Sequence, residues 1–179
     1  MRQPAAFNAR AIYALKMDVH YRIYPRTSDL YFIRIGGQGV LGGVTSGLRA
    51  QLGIVGALIG ALFQKKAAQG LADKISQLDA KDPATLLQAN QGSFIQKGFD
   101  ITSTSIDPPG IFGGHGEQFG KWVIKLQDGR TETLQFETND DVAAAIQLLP
   151  PVLGAKLAVN VQWDPKTKFY EKRKDLPRR

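Results

Sequence analysis

An α+β fold, antiparallel strands with a C-terminal helix that closes the sheet, is predicted by three observations. Leu15, Met17, Val19, Tyr21 and Ile23 alternate with Lys16, Asp18, His20 and Arg22, and a period of two marks a strand with one buried face. Asp128-Gly129 separates two further runs, Lys121–Gln127 and Arg130–Glu137, and this dipeptide suits the positive φ angles of a type I′ hairpin turn. Thr138 or Asn139 then caps a helix that runs to Leu149 and is stopped by Pro150-Pro151. Runs of strands with helices gathered at separate places along the chain read as α+β.

The elements follow in order. Residues 12–35 make a first hairpin, with Tyr24–Asp29 (YPRTSD) as its turn and Leu30–Ile35 as the returning strand. A long helical insertion, residues 36–90, comes next. Leu71, Ile75 and Leu78 recur there at helical spacing, which predicts one long or broken helix over about 44–79. Asp82-Pro83 opens a short helix ending near Asn90, since aspartate caps well and proline suits the first helical position. Residues 91–163 hold the remaining strands and the closing helix. Ser93–Phe99 and Ile101–Ile106 are strands, Asp107–Gly120 is a glycine-rich loop, and Leu157–Trp163 is a short apolar piece of open type. Residues 164–179 form a basic tail, read as disordered. The whole is expected to be one domain, a size at which a sound core can be buried.

Composition excludes several chemistries. The 179 residues include no cysteine, which removes disulfides, thiolate catalysis and cysteine-based metal sites and fits a reducing compartment. The opening residues lack the uninterrupted apolar core of a secretory signal, so a cytoplasmic location is expected. Net charge is +7, and the tail DPKTKFYEKRKDLPRR carries seven Lys/Arg against three acids. Such a tail is attracted to anionic lipid by about 1 kcal/mol per basic residue near the surface.

Residues 36–63 carry nine of the 19 glycines and one charge, Arg49. At helical spacing Gly43, Gly47, Ala50, Ala57 and Ala61 form a stripe of small residues, with Gly53 and Gly60 beside it and a second small-xxx-small pair in Gly56 and Gly60. Each glycine costs a helix about 1 kcal/mol relative to alanine, so the pattern implies close backbone approach to a neighbour. The uninterrupted apolar run, Leu52–Phe63, is twelve residues, short of the roughly 20 needed to span a bilayer. Leu58, Leu62 and Phe63, followed by Lys65 and Lys66, suit either shallow insertion at a membrane surface or packing on the sheet or on a second copy.

Catalytic motifs fail on context. Gly37-Gln38-Gly39-Val40-Leu41-Gly42 fits G-x-G-x-x-G, yet its strand comes from a hairpin and no second parallel strand ends in a ribose-binding acid. His20 and His115 are the two histidines, and a metal needs three or four converging ligands. Glu137, Asp140 and Asp141 at a helix start are explained by the helix dipole. An enzyme is not expected, nor is a cofactor or a metal. A loop site built on His115 and Glu117 is the catalytic alternative. Phe169-Tyr170 in the tail, with Arg22, Arg26 and Arg34 near the first hairpin, is too thin an aromatic-basic pattern for nucleic acid.

Three stretches, FIQKGFDITSTSID (94–107), GKWVIKLQDGRTETLQFETNDDVAAAIQLLPPVLG (120–154) and the opening YALKMDVHYRIY with LYFIRIGG, resemble a bacterial PH-like (GRAM-type) domain in order and pattern. The resemblance covers roughly 100 residues and implies a strongly bent antiparallel sheet or partly open barrel, closed by a C-terminal helix. It also implies a binding or scaffolding module rather than a catalyst. Pro25-Arg26-Thr27 is the nearest counterpart of the family's basic first loop. The expected function is therefore a non-enzymatic module at the cytoplasmic face of a membrane, acting through the glycine-striped helix. Lys65, Lys66 and the basic residues Lys172, Arg173, Lys174, Arg178 and Arg179 add attraction. The alternative is a soluble protein-interaction or structural module, self-associating through the same helix.

Overall fold

The computed structural model describes residues 5–11, 18–37, 73, 75–110 and 119–175. Ten strands are described: β1 (Phe7–Ala11), β2 (Val19–Arg26), β3 (Asp29–Gly37), β4 (Phe94–Lys97), β5 (Ile101–Asp107), β6 (Lys121–Leu126), β7 (Thr131–Phe136), β8 (Leu157–Val159), β9 (Val161–Asp164) and β10 (Phe169–Lys172). The first eight form one sheet in the order β4-β3-β2-β1-β7-β6-β5-β8, and β9 pairs with β10 apart from it. Neighbours are antiparallel except β5 and β8, which run parallel. The fold is α+β, as expected, but the sheet is mixed rather than wholly antiparallel and does not close into a barrel.

The sheet is nevertheless strongly curled, and chain geometry requires it. β4 and β5 stand first and seventh in the strand order, six spacings or about 29 Å apart if the sheet were flat. Only the 3-10 turn Gly98–Asp100 joins them, and that much chain reaches about 14 Å at most. Rings confirm the bend: Phe32 of β3 stacks on Trp122 of β6 with centroids 6.0 Å apart, across three intervening strands. Gly98 permits the short connection. Its N–H donates to the Ser28 carbonyl at 2.9 Å, and a Cβ there would overlap that same oxygen.

The inner face of the curl holds the core. Phe7, Ala9, Ala11, Tyr21, Ile23, Phe32, Trp122, Ile124, Leu134 and Phe136 lie on it, capped by Val142, Ala145, Leu149 and Leu153. The last four come from α2 (Asn139–Leu148), the residue after it and α3 (Pro150–Leu153). Thr138 caps α2, its hydroxyl accepting from the Asp141 amide at 3.1 Å. Pro150-Pro151 does not stop the helical path. The prolines open α3 after Leu149, itself in the helical region, because first-turn positions need no N–H donor.

A second, smaller core lies on the outer face of β2 and β3. Leu78 and Leu86 pack there with Ala6, Tyr24, Ile33 and Ile35. Leu78 belongs to a helical stretch, residues 75–79, and Leu86 to α1 (Pro83–Ala89). α1 is capped as the sequence predicts, with Asp82 Oδ2 accepting from the Ala84 amide at 3.1 Å and Pro83 in the first turn. The predicted helix over 44–79 is thus described at its last turn, and that turn packs on the sheet.

Several expectations are corrected. β1 precedes the predicted first hairpin; its FNARA sequence alternates small apolar with polar residues and is too short to stand out. The strand predicted from Leu15 begins at Val19, and residues 12–17 lie outside those described. The predicted turn over Tyr24–Asp29 contracts to Thr27-Ser28, since Tyr24 is buried and holds β2 in register through Arg26. The Asp128-Gly129 turn is not type I′. The Gly129 amide donates to the Leu126 carbonyl at 3.1 Å and the Leu126 amide to the Arg130 carbonyl at 2.9 Å. Only Gly129 has positive φ, +85°, so this is a three-residue loop with a glycine bulge. The apolar piece 157–163 divides into β8 and β9. The tail read as disordered contains β10, held by pairing with β9 from Phe169↔Asp164 to Lys172↔Val161.

Asp141 ties α2 to β1. Its Oδ1 accepts from the Asn8 amide at 2.7 Å and its Oδ2 from the Thr138 hydroxyl at 2.7 Å. Burial is the main cause that pushes its carboxyl above the ordinary aspartate value, with these hydrogen bonds opposing. The folded state therefore keeps a proton that the unfolded chain has lost, from about pH 4 up to the raised value. Stability falls as pH rises through that interval. Asp141→Asn lacks this titration, so its stability relative to the wild type should increase with pH across the same interval, as read by urea unfolding at stepped pH. A pH-independent difference would contradict the burial.

Candidate functional site

The outer face of the sheet divides by how its cations are satisfied. On β1 and β2 three of them, Arg10, His20 and Arg22, are matched. Arg10 donates to Gln135 at 2.8 Å and lies 3.7 Å from Asp18, and His20 pairs with Glu137. Arg22 grips Asp79 through Nε at 3.0 Å and Nη2 at 2.7 Å. On β5 and β6 the pattern changes. The register sets Ser103 opposite Lys125, Ser105 opposite Val123 and Asp107 opposite Lys121. Lys121 and Lys125 point outward because Trp122, Ile124 and Leu126 between them are buried. Neither lysine forms an ion pair among the described residues.

These residues floor a groove of about 760 Å³ whose lining includes Lys121, Lys125, Lys156 and Lys172. Lys156 sits in the turn Gly154–Lys156 and donates to the Gly98 carbonyl at 2.9 Å. Lys172 ends β10. Ser103, Thr104, Ser105 and Asn160 add polar groups. Asp107 is the one acid of the lining, and it is engaged: Asn160 Nδ2 donates to Oδ1 and Ser105 Oγ to Oδ2, both at 2.6 Å. Four cations around one hydrogen-bonded carboxylate make a field that attracts anions.

A second cavity, about 620 Å³, opens where a barrel would close, between β4 and the β6–β7 loop. Its lining is net acidic, with Asp100, Asp128 and Glu132 against Arg130. Arg130 lies 2.7 Å from Asp128 and 3.8 Å from Glu132, and the Asp128 hydrogen bonds to Arg130 hold that carboxyl below its ordinary value. Its net acidic lining repels anions, so the lysine groove is the better candidate for an anionic ligand.

The groove can hold an anionic group against lysines and hydroxyls. Its one hydroxyl–carboxylate pair is Ser105 with Asp107, whose other oxygen takes the Asn160 amide, and the described lining holds no histidine. Among the described residues no three His, Asp or Glu side chains gather as a metal site.

Of the residues singled out in the sequence, the groove gathers Lys172. Arg173 turns aside to Asp175, donating through Nε at 3.1 Å, and that pairing raises its pKa further. Lys174 is exposed. Gly43, Gly47, Ala50, Gly53, Gly56, Ala57, Leu58, Gly60, Leu62, Phe63, Lys65, Lys66, Arg178 and Arg179 lie outside the described residues, as do His115 and Glu117. Arg26, in the expected basic first loop, stands instead at the turn between β2 and β3, lying over the Tyr24 ring at 6.0 Å. The additional strand β1 makes that turn the second connection of the sheet. Sequence reading missed Lys121, Lys125 and Lys156. The alternation Lys121, Val123, Lys125 was visible, but the side chains that complete the groove come from distant segments. No helix among the described residues is long and apolar enough to cross a membrane. No family model, curated protein or solved structure matches the chain.

Proposed function

We propose that this chain is a non-enzymatic, PH-like binding module that docks on an anionic membrane surface at its cytoplasmic face. The lysine groove carries the reading: Lys121 and Lys125 project from a rigid sheet with no acid paired to them, beside Lys156 and Lys172. The strand order β4-β3-β2-β1-β7-β6-β5 with a helix packed on β1 and β7 supports the PH-like assignment. The glycine-striped segment and Lys65-Lys66 would add shallow contact with the same membrane.

Vesicle cosedimentation tests it. The full chain is expected to bind phosphatidylcholine vesicles only when phosphatidylglycerol is included, with affinity falling as salt rises. Lys121→Gln with Lys125→Gln should weaken that binding about thirtyfold, at about 1 kcal/mol per lysine. Unchanged affinity in the double variant would reject the groove as the site.

One observation favours the soluble alternative. Leu78 and Leu86, from the C-terminal end of the insertion, pack on Ile33 and Ile35 of the sheet, and the small-residue stripe would continue such packing or meet a second copy. A defined oligomer in sedimentation analysis, with no vesicle binding, would select that reading.

A further inference from the structure

Among the described residues three large apolar side chains are exposed: Phe99 at 66%, Trp163 at 46% and Phe169 at 41%. Two of them belong to one element, the β9–β10 hairpin. That hairpin is firmly based. Val161 is buried in the main core and Tyr170 packs against it. Asn139 Nδ2 donates to the Lys168 carbonyl at 2.9 Å, and the Phe169 ring lies 6.0 Å from Phe119. Trp163 is steadied by an edge contact with Tyr170 at 5.3 Å. Trp163 is partnered by Tyr170 and Phe169 by Asp164, so the two exposed rings leave opposite faces of a braced hairpin, beside its turn, and an approach by the turn brings both to one surface.

The charges around them are suited to an anionic partner. Residues 161–175 include five Lys/Arg and three acids. Each acid is hydrogen-bonded within the hairpin or just beyond it: Asp164 takes the Lys166 amide at 2.8 Å, Glu171 takes the Thr167 hydroxyl at 2.8 Å, and Asp175 takes Arg173. Lys166, Lys168 and Lys174 are exposed and unpaired in ions among the described residues. Lys172 belongs both to β10 and to the groove wall, so the base of the hairpin adjoins the groove. Exposed tryptophan and phenylalanine between lysines match the chemistry of a bilayer interface, where amphipathic rings settle at headgroup level.

We infer that the β9–β10 hairpin is an interfacial anchor, placing Trp163 and Phe169 among the headgroups of an anionic phospholipid bilayer while the lysine groove faces the same surface. The inference rests on the membrane-docking reading and adds the element that enters the lipid.

Tryptophan emission tests it directly. The chain has two tryptophans; Trp122 is fully buried and serves as an internal constant, leaving Trp163 to report. Vesicles containing phosphatidylglycerol are expected to shift the emission to the blue, and lipids brominated on the acyl chains should quench it. Trp163→Phe should abolish the shift while cosedimentation persists. Trp163→Ala with Phe169→Ala should weaken vesicle binding about tenfold, with an unchanged far-ultraviolet dichroism spectrum. Cosedimentation with no shift or quenching would overturn the anchor and leave the groove reading standing. Absence of cosedimentation would overturn both. A response to a single-stranded oligonucleotide without one to vesicles would overturn the anchor in favour of base stacking on Trp163.

Discussion

Replacing Trp122 with alanine is expected to lower the unfolding free energy by about 4 kcal/mol, within the range for deleting a fully buried large ring. Trp122 sits where the curled sheet meets itself. Its ring stacks on Phe32 at 6.0 Å and meets the edge of Phe7 at 5.6 Å. Its indole N–H donates to Thr104 Oγ1 at 2.6 Å, and Thr104 in turn donates to the Val123 carbonyl. Alanine would leave a cavity between the two halves of the sheet and remove the contact that bridges them. Trp122→Phe should restore most of the loss, because it keeps ring area and forfeits chiefly one hydrogen bond of about 1 kcal/mol. Urea unfolding read by far-ultraviolet dichroism is the measurement. A loss below 1 kcal/mol in the alanine variant would show that the curl does not depend on this stack.

Asp79→Ala should cost about 3 kcal/mol, at the lower end for breaking a buried ion pair. The Arg22 guanidinium is buried and enters the sheet facing outward, with Asn8 Oδ1 at 3.1 Å as its other acceptor. Asp79 accepts from both ends of that guanidinium and from the Tyr24 hydroxyl at 2.8 Å. Burial, then the hydrogen bond and charge of Asp79, push the Tyr24 phenol well above its ordinary value. Removing Asp79 strands a cation and a hydroxyl together and unties residues 75–79 from β2. Asp79 is itself partly exposed, so water reaches the site and the cost stays below the maximum. Arg22→Met combined with Asp79→Ala should recover much of the loss, since buried pairs replaced by apolar residues are often neutral. A double variant as unstable as the sum of its parts would show that the two residues act independently.

The hydrophobic alternation of β6, β7 and the inner half of β2 was legible because a half-buried strand writes its burial into every second residue. The caps of α1 and α2 were legible for a similar reason: Asp82 and Thr138 act on amides two and three residues ahead. β1 was not legible. Ala9 and Ala11 bury little area, and the strand is identified by its neighbours β2 and β7 on either side. Arg22 read as an exposed strand residue; its burial follows from Asp79, 57 residues later. The β10 strand hid in a basic tail because its four residues, FYEK, show no alternation, and the strand is defined by its pairing with β9.

The lysine groove shows the same division. Lys121 and Lys125 were on the outward phase of a strand that the sequence placed correctly. What makes them a site is the arrival of Lys156 from the turn after α3 and Lys172 from β10, together with hydrogen bonding that occupies Asp107. By itself the sequence determined the α+β class, the local periods and the helix starts, since each depends on residues within a few positions. Tertiary structure alone decided the degree of curl of the sheet, the parallel β8, the pairing of buried Arg22 with Asp79 and the gathering of four lysines. Those depend on contacts between distant segments, whose geometry is set by the three-residue connection from β4 to β5 and by the rings that fill the bend.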